Sequence, residues 1–207
     1  SSSLLLKDSA PPAQTVQMTF PERGRKGRIK LPEVEVNWYD GGIKPDLPAN
    51  WPSGKNPNKS GGGIFFYGTK GIIHAGCYGV EPEILGREMP KVAETERRVE
   101  KEIGLAWNRG AHEMDWVRAC KESPGNRQPC TSDFSEAGPF NEMVVMGVLA
   151  VRLQSLNKIL NWDGENMRFT NIGQDETIKT VIRDNFVMKD GRPKFEKEWT
   201  EPYSASE

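Results

Sequence analysis

Cysteine, histidine and net charge are all scarce in this 207-residue chain, and each scarcity removes a class of function. Three cysteines, Cys77, Cys120 and Cys130, are too few in a chain this long for a disulfide-built scaffold. One stays unpaired within a monomer, and spacing alone leaves a Cys120–Cys130 bridge open, since geometry decides it. The only histidines are His74 and His112. His74-x-x-Cys77 has metal-like spacing, but no second pair accompanies it, so it reads as a strand end and not a zinc site. Cys77 as a nucleophile with His74 as base lacks a third group to orient it. Lysine and arginine total 28 against 29 acidic residues, a net charge of −1, so nothing in the balance calls for nucleic acid or an anionic membrane. The basic run Arg23, Arg25, Lys26, Arg28, Lys30 has no interleaved aromatic residue, and it reads as a solvated turn. The longest apolar run, residues 143–151, lies between Glu142 and Arg152 and is far short of the ~20 residues a spanning helix needs, so no membrane span is expected. Residues 1–13 lack a basic start before Leu4-Leu5-Leu6, which argues against a signal peptide; the chain reads as a processed or excised piece.

Glycine and proline, by contrast, are plentiful. The 21 glycines and 15 prolines make up about 17% of the chain, against a usual share near 12%. Loops and turns must therefore be extensive. With 36% hydrophobic and 28% charged residues the chain can still bury a core, and its length fits one domain or at most two small ones, the single domain over residues 1–207 being the expectation.

The pattern of elements changes along the chain. Val16, Met18 and Phe20 alternate with polar residues over residues 14–20, the period of a half-buried strand closed by Pro21. Val34, Val36 and Trp38 repeat that pattern before Asp40-Gly41-Gly42, so the two segments should pair as a long hairpin with Trp38 facing the core. Residues 45–63 hold glycine and proline without periodicity and read as a long irregular loop. Residues 63–67 and 72–74, joined by Gly68-Thr69-Lys70-Gly71, read as a hairpin. Helices are expected next. Residues 91–103 begin after Pro90, end at Gly104 and carry i, i+4 charge pairs. Residues 111–121 place Met114, Val117 and Cys120, or Trp116 and Cys120, on a packed side. A helix opened by Pro139 should run to Leu153 and be buried on most sides. Residues 175–186 carry Ile178, Val181, Ile182 and Phe186 at helical spacing. Strands gathered first and helices later predict an α+β fold, a largely antiparallel open sheet with helices on one face and no Rossmann domain in this chain.

Motif chemistry is sparse. Gly61-Gly62-Gly63 precedes its strand and lacks the third glycine of a dinucleotide fingerprint, and no Walker A sequence occurs. Asn58-Lys59-Ser60 is a formal glycosylation sequon. His112 falls in the first turn of a helix beside Glu113 and Asp115, as a surface residue or a ligand contact. More informative is Trp38-Tyr39-Asp40-Gly41-Gly42, followed by Trp51. Ring faces stack on the C–H patches of a sugar while a carboxylate accepts its hydroxyl hydrogen bonds. Tyr39, Asp40, Trp51 and His112 are the candidate substrate-binding residues. The alternative for Asp40 is a turn residue bonding to its own backbone.

These residues also carry a resemblance. Thr19-Phe20-Pro21, Asn37-Trp38-Tyr39-Asp40-Gly41-Gly42-Ile43-Lys44-Pro45, Gly68-Thr69-Lys70-Gly71, Gly138-Pro139-Phe140-Asn141-Glu142, Asn161-Trp162-Asp163 and Asn166-Met167-Arg168-Phe169-Thr170-Asn171 occur in this order over most of the chain. Together they resemble the C-terminal half of Gfo/Idh/MocA-type oxidoreductases, in particular a bacterial dehydrogenase subgroup. In that family an N-terminal Rossmann domain binds NAD or NADP, and the C-terminal α+β domain closes the substrate site and commonly makes dimer contacts. The family's Glu-Lys-Pro and Asp-x-x-x-His signatures are absent here; in a full-length relative both would lie upstream of Ser1. The resemblance therefore implies a substrate and oligomerisation domain for a sugar or polyol dehydrogenase, inactive alone, with the dinucleotide held by a missing domain and no cofactor in this chain. It implies a bacterial cytoplasm or periplasm and a homo-oligomer formed through the sheet. A free-standing carbohydrate-binding or interaction module is the competing class. A domain of an NAD-dependent, redox-neutral glycosidase is a third.

Overall fold

The computed structural model describes residues 1–3, 10–27, 29–58, 61–91, 103–106, 109–173, 176, 181–189 and 192–199. They form two compact units, one of residues 1–44 with 132–207 and the other of residues 45–131. The chain is α+β: antiparallel strands in small open sheets, with two helices among the described residues. Every strand pair described is antiparallel, so no parallel βαβ unit occurs among them.

The first unit begins with the expected long hairpin. β1 (Gln14–Phe20) pairs with β4 (Val34–Asp40), setting Val16 opposite Trp38 and Met18 opposite Val36. Between them β2 (Gly24–Lys26) and β3 (Ile29–Leu31) pair as a small ribbon in which Arg25, Lys26 and Lys30 of the basic run are exposed, the solvated turn that its composition predicts. α2 (Phe134–Arg152) lies against β1, where a Cβ on Gly147 would stand 3.9 Å from Val16. Its C-terminal end feeds the core. Leu153, Phe169 and Ile172 are buried, with Leu149, Leu156, Leu160 and Trp162 packed around them. β8 (Trp162–Asp163) and β9 (Arg168–Phe169) make the tight hairpin that supplies two of these residues. Trp162 meets Phe169 edge-on at 4.9 Å, a favoured aromatic geometry. Glu142 of α2 accepts a 2.6 Å hydrogen bond from the Trp162 indole, tying helix to hairpin.

The second unit is built on β5 (Gly63–Gly68), β6 (Gly71–Gly76) and the short β7 (Glu83–Ile84), in that order. Residues 45–58 form an irregular loop, as expected, and α1 (Ala111–Lys121) belongs to the same unit. The helix expected over residues 91–103 lies almost wholly outside the described residues.

Five expectations are corrected. Trp38 does not face the core: it is 56% exposed, because α2 covers β1 and leaves Trp38 and Val34 of β4 open. α2 starts at Phe134 rather than at Pro139, since Asp133 caps it by accepting from the Ser135 N–H at 3.0 Å. That bond holds the Asp133 carboxyl below its usual range. Nor is α2 buried on most sides; Phe140, Val144, Val145 and Val148 are exposed and only Val151 is fully covered. On α1 the buried positions are Ala111, Asp115 and Ala119, while Met114 and Trp116 lie open and Cys120 is exposed. The small residues let the helix pack closely on the face that carries Asp115. Finally, residues 181–186 belong to a strand. β10 (Val181–Lys189) pairs with β11 (Arg192–Trp199), with Phe186 opposite Phe195. The i, i+4 spacing of Val181, Ile182 and Phe186 misled; the β-branched residues and the Asp-Gly between two runs signal a hairpin.

Candidate functional site

The predicted ligand residues fall in different units: Tyr39 and Asp40 in the first, Trp51 and His112 in the second. Tyr39 and Asp40 end β4, opposite Thr15 and Gln14. Trp38 and Tyr39 are both substantially exposed there, 56% and 38%. Asp40 opens a tight turn in which its carbonyl accepts from Ile43 N at 3.4 Å and its Oδ1 accepts from Gly41 N at 2.5 Å. Gln14 donates to Oδ2 at 3.4 Å. Gly41 and Gly42 have φ of 68° and 88°, the left-handed backbone such a turn needs. The carboxylate therefore serves the turn. It is also exposed, and a carboxylate has about four acceptor positions, so capacity for a ligand hydroxyl remains.

Trp51 is half-buried and occupied by packing. Its indole donates to the Lys55 carbonyl at 2.8 Å, and its ring meets His74 at 4.7 Å and Phe65 at 5.3 Å, both edge-on. These contacts define a cluster that sequence reading passed over. His74 is fully buried. Its Nδ1 lies 2.9 Å from Glu83 Oε1 and its Nε2 lies 2.8 Å from the Pro57 carbonyl. Lys55 bonds the other carboxylate oxygen of Glu83 and rests over the Trp51 ring at 5.3 Å. The spacing His74-x-x-Cys77 drew attention to Cys77, whereas the partner is Glu83 on the neighbouring strand, paired with His74 in register. Strand alternation could have paired them, but the long loop that supplies Lys55 and Pro57 has no periodicity to read. Both ring nitrogens of His74 are engaged in this arrangement, so neither is open to a ligand.

His112, on the first turn of α1, is exposed, and its Nδ1 lies 3.0 Å from the Thr131 hydroxyl. The neighbouring network is structural. Asp115 is fully buried, its Oδ1 receives Arg118 at 2.9–3.0 Å and its Oδ2 receives the Thr131 N–H at 2.8 Å. Arg118 also bonds Glu122, which accepts the Gln128 N–H at 2.8 Å. That N–H first, and Arg118 second, hold the Glu122 carboxyl below its usual range. The bonds to Glu122 and Asp115 raise the Arg118 guanidinium further. Residues 122–131 are thereby pinned to the helix beneath them.

No disulfide joins Cys77, Cys120 and Cys130, so Cys120 does not pair with Cys130. Among the described residues no group of three His, Cys, Asp or Glu side chains could hold a metal ion. No described helix is long and apolar enough to cross a membrane. Neither a protein-family model nor a curated protein matches the chain.

Proposed function

We propose that this chain is the C-terminal substrate and oligomerisation domain of an NAD(P)-dependent oxidoreductase acting on a sugar or polyol. The observation that carries the reading is the end of β4, where exposed Trp38 and the exposed Asp40 share one face of the strand and exposed Tyr39 lies on the other. Flat apolar rings next to an acceptor suit a polyhydroxylated ligand. Support also comes from two separated motifs of the resemblance, which meet through the bond from Trp162 to Glu142. The exposed apolar row Phe140, Val144 and Val148 on α2 is a surface that oligomerisation would cover. Hydride transfer itself needs a held nicotinamide and a poised acid or base, which belong to the missing domain on this reading.

The coding sequence upstream of Ser1 is the first test. A strand, a G-x-G-x-x-G turn and a helix there support the reading. A secretion signal directly before Ser1, without that unit, overturns it in favour of a free-standing carbohydrate-binding module. In the longer protein Asp40→Asn keeps the turn, because an amide oxygen still accepts from Gly41 N. It should weaken sugar binding by about 1.5–3 kcal/mol, the range for a hydrogen bond to a charged group. An unchanged affinity with earlier melting would make Asp40 a turn residue alone. Calorimetric titration of this chain with NAD and NADP should show no micromolar binding.

A further inference from the structure

We propose that the outer edge of β5 pairs with the same strand of a second copy of this chain, antiparallel about a two-fold axis centred on Phe65. β5 ends the three-stranded sheet: β6 pairs it on one side and, among the described residues, no strand pairs it on the other. Its glycines show the open side directly. Gly63 and Gly76 stand opposite each other, yet Gly76 of the central strand is buried while Gly63 is exposed, as is Gly68 at the other end of β5. A glycine has only main-chain atoms, so the exposed surface at these two positions is backbone. Alternate residues of an edge strand turn N–H and C=O groups outward, and a further strand satisfies them. Phe65 anchors β5 on one face, where its ring meets Trp51 at 5.3 Å and His74 at 4.8 Å. Ile64 and Phe66 lie on the opposite face beside Ile73 of β6, and all three are exposed.

The other described strands carry a guard that β5 lacks. β4 bears Glu35 and Asp40, and β2 and β3 bear Arg25, Lys26 and Lys30. β7, β8 and β9 are two residues long, and β10 and β11 are rich in charge. β1 is bridged at its start by Ser2 and lies against α2. Residues 63–68 hold no charge, no proline and no break in register. A strand that meets its own copy sets like beside like, so the absence of charge is what lets β5 accept itself. The sequence also fits itself. A two-fold axis perpendicular to the sheet keeps each face continuous, so opposed residues differ by an even number. Centred on Phe65, the axis sets Ile64 against Phe66 of the partner subunit, twice over, and Gly63 against Tyr67 of the partner subunit. Aromatic residues stabilise cross-strand pairs with β-branched ones, and they cover edge glycines. An axis centred on Phe66 would leave Ile64 against a glycine. The pairing also closes: each copy spends its β5 edge, and the strand left outermost is β7, which is two residues long and carries Glu83. The contact belongs to the second unit, does not use the α2 row, and stands whether or not a dinucleotide domain precedes the chain.

Two measurements on the full chain need no variant. One strand from each copy buries less than the ~1,200 Å² of a standard interface, so sedimentation from about 10 µM to about 1 mM should show a weak, concentration-dependent dimer. Over the same range the amides of residues 63–67 should gain hydrogen-exchange protection. Substitution then tests the register. Ile64→Lys and Phe66→Glu, both at exposed positions, should each weaken the dimer by about tenfold, because each disturbs a pair that occurs twice. Combined in one chain, they place opposite charges across the two-fold, and association at low salt should recover relative to either single variant. A strict monomer at about 1 mM overturns the proposal and leaves the edge to an extended segment of another protein. Association without added protection at residues 63–67, or with an affinity that neither single substitution changes, also overturns it.

Discussion

Replacing Gly41 and Gly42 separately by alanine isolates how the Asp40 turn is held. Both glycines have left-handed φ, which costs an L-residue roughly 1–2 kcal/mol, and both variants regain about 0.4–1 kcal/mol by stiffening the unfolded chain. Those contributions are shared. The surroundings differ: a Cβ at Gly42 meets nothing within 4 Å, whereas one at Gly41 would lie 2.0 Å from the Pro12 carbonyl oxygen and 2.4 Å from Ala13 Cα. Both obstructing atoms are backbone, so no rotamer change relieves the overlap. The N-terminal segment must move, straining the bonds from Ser3 N to the Ala13 carbonyl at 2.9 Å and from Thr15 N to the Ser1 carbonyl at 2.8 Å. Overpacking of this kind costs about 1–3 kcal/mol. Gly42→Ala should therefore lose about 0–1.5 kcal/mol and Gly41→Ala about 1–4.5 kcal/mol. Two units need not unfold together, so the assay must be local: native-state exchange of the β1 and β4 amides, read as opening free energies. Equal losses within about 0.5 kcal/mol, the usual additivity error, would refute the claim that the turn is packed against Pro12 and Ala13.

Two further outcomes follow from the hydrogen bonds. Glu142→Leu strands the Trp162 indole N–H and should cost about 1.5–3 kcal/mol in exchange-detected stability of the first unit, while Glu142→Gln, which still accepts, should lose less than half as much; equal losses would mean that the bond at 2.6 Å contributes nothing specific. Because the Glu122 carboxyl is lowered in the folded chain, chiefly by the Gln128 N–H, its contribution is complete above its unfolded value near pH ~4.3 and is lost as pH falls below that. Protection of residues 122–131 should therefore drop on acidification, and Glu122→Gln should flatten that dependence.

Local pattern predicted the elements wherever one short-range signal dominated. Alternation at Val16, Met18 and Phe20 and at Val34 and Val36 gave the β1–β4 hairpin, and a four-residue glycine-bounded turn gave β5–β6. It failed where two periods competed. Val181, Ile182 and Phe186 fit a helical face, yet the same residues are β-branched or aromatic and precede Asp190-Gly191, and the long-range pairing with β11 decides for a strand. Burial was less legible than secondary structure. Trp38 shares a face with Val36, but a strand's pattern says which residues share a side and not how much of that side a helix reaches. α2 is apolar nearly all round, which suggested a buried helix, and the structure leaves Phe140, Val144 and Val148 in the open instead.

The candidate ligand residues show a related gap between type and circumstance. Trp51 was singled out as an aromatic residue in a glycine- and proline-rich loop, where ligand contacts commonly reside. Its loop is folded back by the bond to the Lys55 carbonyl and by contact with His74, so its ring is spent on packing. A sugar that needs Trp51 would have to displace that packing, whereas one that binds at the end of β4 would not. Titrating sugar affinity in the longer protein with Trp51→Ala and Tyr39→Ala separately distinguishes them. An affinity lost in Trp51→Ala and kept in Tyr39→Ala assigns Trp51 to the site. An affinity kept in Trp51→Ala leaves Tyr39 and Asp40 as its carriers and removes Trp51 from the ligand set.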